Sequence, residues 1–304
     1  MTTRVILDTD IGTDVDDCLA LAVVLGSPEL ALEGVTCVYG DVDLRARMVR
    51  KLLRLHGVDR VPVLAGARRP LLGKRPVYWA GHEGKGLLEP GEDAQGPDPE
   101  HAVDFIVRTA MDNPGQIHLL AIGPLTNVAL ALLREPALAD RLAGLTVMGG
   151  ACRGPGSLHL AIAEHNIRCD PEAAHVVLSS GIPLALVPLD VTTRVCIGHV
   201  GVARLHDVGT PFHAALAGQV ERYPRYRERG QTYLHDPLAA AVMVEPGLVQ
   251  WQDLDVVVEL AGEHTAGATL MRLPTSDAPA NARVALEVDA RRAEDFMLER
   301  MARR

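Results

Sequence analysis

The chain has 304 residues, of which 48% are hydrophobic and 23% are charged, so it can bury a large core, and intrinsic disorder and collagen-like repeats are excluded. Its net charge of −9 argues against a general nucleic-acid partner, because phosphates need a basic face. The five cysteines form no CxxC pair, which argues against a disulfide framework or a thiolate zinc site. Apolar stretches fall short of the roughly 20 residues of a membrane helix, and the first residues lack the pattern of a signal peptide. We therefore expect a cytoplasmic protein with no membrane partner.

Short aliphatic and β-branched runs predict buried strands, and the longer segments between them have the apolar spacing of helices. In chain order the predicted elements are strand Arg4–Leu7, helix Asp16–Leu25, strand Leu32–Val38, helix Asp43–His56, strand Val61–Ala65, helix Glu100–Met111, strand Ile117–Ala121, helix Leu125–Leu133, strand Leu145–Met148, helix Pro171–Ser179, strands Leu184–Pro188, Leu254–Leu260 and Val284–Val288, and a terminal helix.

This alternation of strands and helices predicts one large α/β domain over residues 1–304, with an open, mostly parallel (mixed) sheet flanked by helices. Two segments depart from the alternation. Residues 68–100 are rich in Gly, Pro and charged residues, and we expect a mobile loop there. Residues 200–245 are mainly helical in pattern. Ligands of such sheets bind at the carboxyl ends of the strands, so functional residues are expected just after the apolar runs.

Five aspartates follow the first predicted strand directly, within ten residues: Asp8, Asp10, Asp14, Asp16 and Asp17. No Lys or Arg occurs between positions 5 and 44, so nothing nearby in sequence neutralises them. Clustered carboxylates raise one another's pKa unless a cation is present. One or two of them are explained as helix caps or turn residues, but five are not. Ligation by oxygen alone favours Ca²⁺ or Mg²⁺.

The segment DTDIGTDVDD at 8–17 resembles the N-terminal signature of the inosine/uridine-preferring nucleoside hydrolases. Further matching segments follow in the family's order, namely AIGPLTNVALAL at 121–132, VMGGA at 147–151, AEHNIRCDPEAA at 163–174 and HDPLAAA at 235–241. Several segments in the right order make the resemblance specific, whereas one alone is weak. It implies a Rossmann-like fold and hydrolysis of the N-glycosidic bond of ribonucleosides to free base and ribose.

The resemblance also implies a Ca²⁺ site. Asp10 matches the carboxylate that touches both calcium and the attacking water, and it is therefore the predicted general base. Asp17 and Asp236 match two further carboxylate ligands. The main-chain carbonyl of Ile122 matches the fourth protein ligand, a role that any side chain tolerates. A cation held in this way lowers the pKa of a bound water and also holds ribose hydroxyls.

The remaining predicted site residues contact the substrate. His235 matches a histidine placed near the leaving base, and it is the second predicted catalytic residue. The predicted ribose and base contacts are Asp16, Glu164 and Asn166 from the resemblance, Asp41 in place of the family's usual asparagine, His82 in the loop that closes over the base, and Met148, for which a core position is the alternative. The segment before Glu164 lacks the asparagine that the resemblance implies for the 5′ end of the substrate, so the form of that end stays open.

Two other functions are compatible with parts of the sequence. A strand followed by Asp-x-Asp also opens phosphatases of the haloacid-dehalogenase type, with Asp8 as nucleophile and Mg²⁺ as cofactor. The spacing to Thr13 is off by one residue, and only three lysines are present to supply the cation such a site needs. A non-catalytic nucleoside or sugar binder that keeps the metal pocket is the other alternative. The resemblance suggests a homodimer or homotetramer, and base preference stays open.

Overall fold

The computed structural model of the protein describes residues 2–89, 95–152 and 158–304. The strands are β1 Thr3–Thr9, β2 Leu30–Cys37, β3 Val63–Ala65, β4 Ile117–Ala121, β5 Gly144–Met148, β6 Leu184–Val187, β7 Cys196–Gly198, β8 Gln231–Tyr233, β9 Val249–Val258, β10 Thr269–Arg272 and β11 Ala282–Val288. The helices are α1 Asp16–Leu25, α2 Val42–His56, α3 Ala102–Asp112, α4 Thr126–Arg134, α5 His165–Cys169, α6 Pro171–Leu178, α7 Leu189–Thr192, α8 His199–Val208, α9 Pro211–Arg222, α10 Pro224–Arg229, α11 His235–Val244 and α12 Ala290–Met301. Short 3₁₀ turns cover Pro136–Asp140 and Pro246–Leu248.

One nine-stranded sheet organises the molecule, in the order β10-β9-β11-β6-β5-β4-β1-β2-β3. The strands from β11 to β3 pair in parallel, whereas β9 runs antiparallel to both β11 and β10. The predicted fold class, a single α/β domain with a mostly parallel mixed sheet flanked by helices, is therefore confirmed. Strands β7 and β8 form a separate antiparallel pair.

Side chains of β1 alternate between two apolar cores, one on each face of the sheet. Val5 and Leu7 point into the core that contains α1, α2 and α11, and Ile6 points into the core that contains α3, α4 and α6. The alternation is the period of two that every strand imposes. It continues to the end of β1, so Asp8 faces α4 and Thr9 faces α1.

The chain reverses its direction of winding across the sheet beside β1. After β1 it adds β2 and β3 on one side, and it then crosses over to place β4 on the other side of β1. This switch point leaves a crevice beyond the carboxyl ends of β1 and β4, which is where ligands bind in open α/β sheets. Asp10 and Ile122 follow these two strands directly and lie at the crevice.

Two segments depart from the regular alternation of strands and helices. Between 68 and 100 the described residues form turns and isolated bridges but no helix or strand. Residues 200–245 are mainly helical, with α8 to α11 and the short strand β8. No helix in the described parts of the chain has the length and apolar character needed to cross a membrane.

Candidate active site

A cavity of about 440 Å³ opens at the switch point, beyond the carboxyl ends of the parallel strands. Most of the residues predicted from the sequence line it together. They come from the loop after β1 and the start of α1 (Asp10, Asp16, Asp17), from the turns after β4 and β5 (Ile122, Met148), from the start of α5 (Glu164, Asn166) and from the start of α11 (His235, Asp236). The sequence order of these residues spans more than 220 positions, so only the fold brings them together.

Three buried carboxylates meet at one point of this cavity. Oxygen atoms of Asp16, Asp17 and Asp236 lie within 4.8 Å of one another, and each of these residues is at most 4% exposed. The first two open α1, and the third lies in the first turn of α11, which packs against α1. The backbone N–H of Asp236 donates to Asp16 Oδ2 at 3.1 Å, which fixes the two helix ends relative to each other. The buried carboxylate of Asp10 lies on the same cavity.

The electrostatics of this cluster call for a positive charge. Burial raises the pKa of Asp16, Asp17 and Asp236 well above the ordinary value, and repulsion from neighbouring carboxylates raises it further. The hydroxyl of Thr9 offsets part of this effect by donating to Asp17 Oδ1 at 2.5 Å. A donor set of carboxylate oxygens with a main-chain carbonyl nearby fits a hard divalent cation.

The wall opposite the aspartates is built by α5. Glu164 caps this helix, because its carboxylate accepts from the backbone N–H groups of Asn166 (2.7 Å) and Ile167 (3.1 Å). The side chain of Asn166 donates to the carbonyl of Ile122 at 2.9 Å and to that of Met148 at 3.2 Å. These bonds tie α5 to the turns after β4 and β5, so the polar atoms of this wall are held in fixed positions.

His235 lies at the first position of α11, beside the acidic cluster. Its Nδ1 forms a hydrogen bond of 2.7 Å with the hydroxyl of Thr192, and its ring packs against Tyr233. Burial lowers the pKa of the imidazole to about 3, and the nearby guanidinium of Arg225 lowers it as well. The ring is therefore neutral at pH 7 and carries a single N–H group.

Comparison with known proteins identifies this arrangement. The sequence profile described as "Inosine-uridine preferring nucleoside hydrolase" matches residues 5–295. The chain belongs to this family. It is 34% identical over 313 residues to the pyrimidine-specific ribonucleoside hydrolase RihA of Enterobacter sp. (strain 638), an alignment that covers 99% of this chain and 98% of the relative. Members of the family hydrolyse the N-glycosidic bond of ribonucleosides, and this chain is an N-glycosidase of that kind.

Solved structures of nucleoside hydrolases share the whole fold. The purine-preferring ribonucleoside hydrolase from Gardnerella vaginalis superimposes with a TM-score of 0.88 at 30% identity, covering 99% of this chain and 98% of the other. The plant nucleoside hydrolase PpNRh1 superimposes with a TM-score of 0.87 at 28% identity, covering 99% of each chain. The relatives named here carry both pyrimidine-specific and purine-preferring descriptions, so they leave base preference undecided.

Asp8, the nucleophile of the phosphatase alternative, does not reach the cavity of this nucleoside hydrolase. Its side chain is completely buried on the α4 side of the sheet, where Oδ1 accepts from Thr36 Oγ1 (2.5 Å) and Asn127 Nδ2 (2.7 Å). Burial raises the pKa of this carboxyl to about 7. A nucleophile needs access to its substrate, so the position of Asp8 contradicts the phosphatase mechanism.

Two predicted substrate contacts lie outside the active-site cavity. Asp41 is half exposed and caps α2, with Oδ1 accepting from the N–H of Leu44 at 3.0 Å. The role that the structure gives to Asp41 is that of a helix cap. His82 lines a neighbouring cavity, and its Nε2 lies 3.1 Å from the carbonyl of Thr13, to which it donates. The altered segment expected at the 5′ end, residues 153–166, lies partly outside the described residues, which omit 153–157.

Sequence reasoning missed the cation that organises the first loop. Arg45 is fully buried, and its guanidinium donates to the carbonyls of Tyr39 (2.7 Å), Ile11 (2.7 Å) and Asp10. A further bond reaches the hydroxyl of Thr13 at 3.0 Å. All four acceptors are uncharged, so the positive charge remains available to the aspartates, and it offsets part of the raised pKa of Asp17. The feature of the sequence that could have indicated this role is the position of Arg45, which is the first basic residue after the stretch that lacks Lys and Arg.

Asp14, in the loop after β1, also has a partner that the sequence did not indicate. The hydroxyl of Tyr223, in the turn between α9 and α10, donates to Asp14 Oδ2 at 2.6 Å. The two residues are 209 positions apart and lie together on the cavity wall. This contact gives Asp14 a structural role in joining the first loop to the helical segment.

Proposed function

We propose that this nucleoside hydrolase works with a calcium ion held by the carboxylates of Asp10, Asp17 and Asp236 and by the main-chain carbonyl of Ile122. The observation that carries the proposal is that carboxylate oxygens of Asp16, Asp17 and Asp236 lie buried within 4.8 Å of one another, with the buried Asp10 lining the same cavity. Oxygen donors alone favour Ca²⁺ or Mg²⁺ over zinc. When bound, such an ion supplies a water of lowered pKa and coordinates ribose hydroxyls.

Asp10 is the proposed general base. Its carboxylate would accept the proton of the attacking water, which then adds to the anomeric carbon as the bond to the base breaks. Two contacts with the turn after β4 fix the position of the loop that carries Asp10. The N–H of Ile122 donates to the carbonyl of Asp8 at 2.8 Å, and the turn passes close to Asp10. A Cβ on Gly123 would lie 2.9 Å from the backbone nitrogen of Asp10, so glycine is required at that position.

The ribose would lie between the aspartates and the α5 wall. Asp16 offers a carboxylate acceptor for ribose hydroxyls. Glu164 and Oδ1 of Asn166 offer acceptors from the opposite side, because the amide N–H groups of Asn166 donate to the carbonyls of Ile122 and Met148. Met148 supplies an apolar contact, as its side chain also lines the cavity. Holding the sugar at several points fixes the anomeric carbon relative to the attacking water, which lowers the entropic part of the barrier.

The departing base would leave beside His235. A neutral imidazole has one N–H group. This proton is on Nε2, where it can face the base, when Nδ1 accepts a hydrogen bond from the hydroxyl of Thr192. We therefore assign to Thr192 the role of setting the tautomer of His235. In that form the histidine donates a hydrogen bond to the negative charge that develops on the base, while its own low pKa keeps it from protonating the base in advance.

The compartment, the oligomeric state and the partners of the enzyme are also open to test. We propose a cytoplasmic homodimer or homotetramer that acts on a small ribonucleoside, with no nucleic-acid or membrane partner. Light scattering on the purified protein distinguishes these assemblies from a monomer of 32.6 kDa.

The decisive variant is Asp10→Asn, which removes the base while keeping the shape of the side chain. We expect ribose release from uridine, inosine and nicotinamide riboside, followed with a reducing-sugar assay, to fall by about 10²-fold or more, with an unchanged circular-dichroism spectrum. Asp43→Asn is the matched control, because Asp43 is half exposed and pairs with Arg68 on the surface. Full turnover by Asp10→Asn would exclude it as the base. Nucleoside binding by the wild type without ribose release would instead favour the non-catalytic binder.

A further inference from the structure

A second cavity, of about 420 Å³, adjoins the active site. The two cavities share Asp14 and Tyr223, whose hydrogen bond forms the partition between them. Apolar side chains of the first loop, α1 and α2 form part of the second cavity, among them Ile11, Val15 and Met48. Nothing in the proposed hydrolysis uses this space.

The rim of the second cavity is basic. Lys85, Arg222 and Arg227 line it, together with the imidazole of His82. Asp14 is the one acidic residue among the described residues that line it, and that carboxylate already accepts from the hydroxyl of Tyr223. A chain with a net charge of −9 and only three lysines therefore concentrates three permanent cations around one cavity.

The central cation of this rim is held in position. Nη1 of Arg222 donates to the carbonyl of Gly218 at 2.8 Å, one turn earlier in α9. Its side chain lies against Gly86, where a Cβ would come within 2.4 Å of Nε, so only glycine permits the contact. The neighbouring Gln219 donates to the carbonyl of Lys85 at 3.3 Å, which joins α9 to the 82–88 loop.

Among the residues that the structure describes, these cations have no carboxylate partner. In residues 2–89, 95–152 and 158–304, neither Lys85, Arg222 nor Arg227 forms an ion pair. Arginines held near an apolar floor bind carboxylates and phosphates through charge-assisted hydrogen bonds. The chemistry of the rim therefore matches an oxyanion group carried by a flat, partly apolar molecule.

We infer that the second cavity takes an anionic substituent, a carboxylate or a similar oxyanion, on the leaving base. The inference rests on the proposed function, because that function places the base beside His235, and Tyr223 lines the active-site cavity together with His235. A substituent on the far edge of the base reaches Arg222 and Arg227 once the hydroxyl of Tyr223 releases Asp14, because this pair separates the two cavities. The cavity makes the enzyme selective for ribosides of acidic bases over the neutral bases of the same shape.

The test compares 5-carboxyuridine with 5-carbamoyluridine, which have nearly the same shape and differ in charge. We expect the wild type to show a kcat/KM about tenfold or more higher for the carboxylate, the size of one charge-assisted contact. The double variant Arg222→Gln/Arg227→Gln should bring that ratio close to one and leave the hydrolysis of uridine unchanged. Arg204→Gln, an exposed position on α8, is the matched control and should keep the wild-type ratio.

The outcomes separate this inference from the proposed function. Hydrolysis of uridine with equal kcat/KM for the two substituted ribosides, or a preference that survives in the double variant, overturns the inference alone. Failure of the wild type to release ribose from any riboside overturns the proposed function. In that case equilibrium binding of the same two compounds to the wild type and the double variant still decides the inference, since selective binding of the carboxylate that is lost in the double variant supports it and equal binding refutes it.

Discussion

Replacing Asp236 by asparagine should stabilise the metal-free protein and destabilise the metal-bound one. At 4.8 Å and an effective dielectric of about 20, two carboxylates repel each other by about 3 kcal/mol. Asp236→Asn removes the repulsion of Asp236 with both Asp16 and Asp17. Because protonation already relieves part of this repulsion, we expect a net gain of about 3 kcal/mol at pH 8, or about 5 °C in Tm for a chain of this length.

The stabilisation expected from Asp236→Asn in the metal-free protein depends on pH. The pKa values of the three carboxyls are raised in the folded, metal-free protein, so in the range above the ordinary pKa of aspartate the native state holds protons that the unfolded chain has released. The free energy of unfolding of the wild type therefore falls as pH rises from that value through the raised ones. The difference between Asp236→Asn and the wild type should consequently be smaller at pH 5 than at pH 8.

Thermal unfolding in a chelator and in excess calcium, at both pH values, measures this prediction. Calcium should raise the Tm of the wild type by more than that of Asp236→Asn, because the variant lacks a ligand, and the order of the two Tm values should reverse. Asp43→Asn should follow the wild type throughout. A lower Tm for Asp236→Asn in chelator at pH 8, or an equal calcium response in both proteins, would refute the reasoning that the cluster is a set of mutually repelling metal ligands.

Three further substitutions test other parts of the site. Asp8→Asn should keep ribose release, and in urea titrations its stability relative to the wild type should increase by about 4 kcal/mol from pH 4 to pH 8. The native Asp8 carboxyl, with a pKa of about 7, keeps a proton that the unfolded chain has already released above pH 4; a pH-independent difference would contradict this. Arg45→Lys should weaken calcium binding by about tenfold in calorimetry, because a lysine cannot bond to all the acceptors of Arg45. An unchanged affinity would show that the loop after β1 keeps its conformation without the guanidinium. Thr192→Val should lower kcat for uridine by about tenfold without affecting 4-nitrophenyl riboside, whose leaving group needs no donor from His235; an equal loss for both substrates would indicate a structural role.

The main strands were predictable because each is a continuous buried apolar run. The prediction Ile117–Ala121 coincides with β4, and the others differ from the structure by a few residues at their ends. Strand β10 was missed, since Thr269–Arg272 lies at the edge of the sheet and two of its four residues are exposed. The short pair β7 and β8 was missed for a related reason, because three residues carry too little periodicity to indicate a strand.

The acidic cluster was predictable only in part from local sequence. Asp16 and Asp17 are adjacent and follow a strand, so their convergence follows from the sheet rule. Asp236 was assigned through the family resemblance, because no local pattern connects the start of α11 with the start of α1. Asp41 was predicted as a substrate contact because of its place in a turn after a strand, but it caps α2. Whether a turn residue caps a helix depends on backbone angles, which the composition of the segment does not determine.

Calcium titration of the metal-free enzyme tests the central claim most directly. Protein stripped with a chelator is titrated with Ca²⁺ while bound metal and ribose release from a hydrolysed ribonucleoside are both recorded. We predict that activity is absent without metal, rises in proportion to occupancy and saturates at one ion per chain. Undiminished ribose release from protein shown to be metal-free, or activity that does not follow occupancy, would contradict the account.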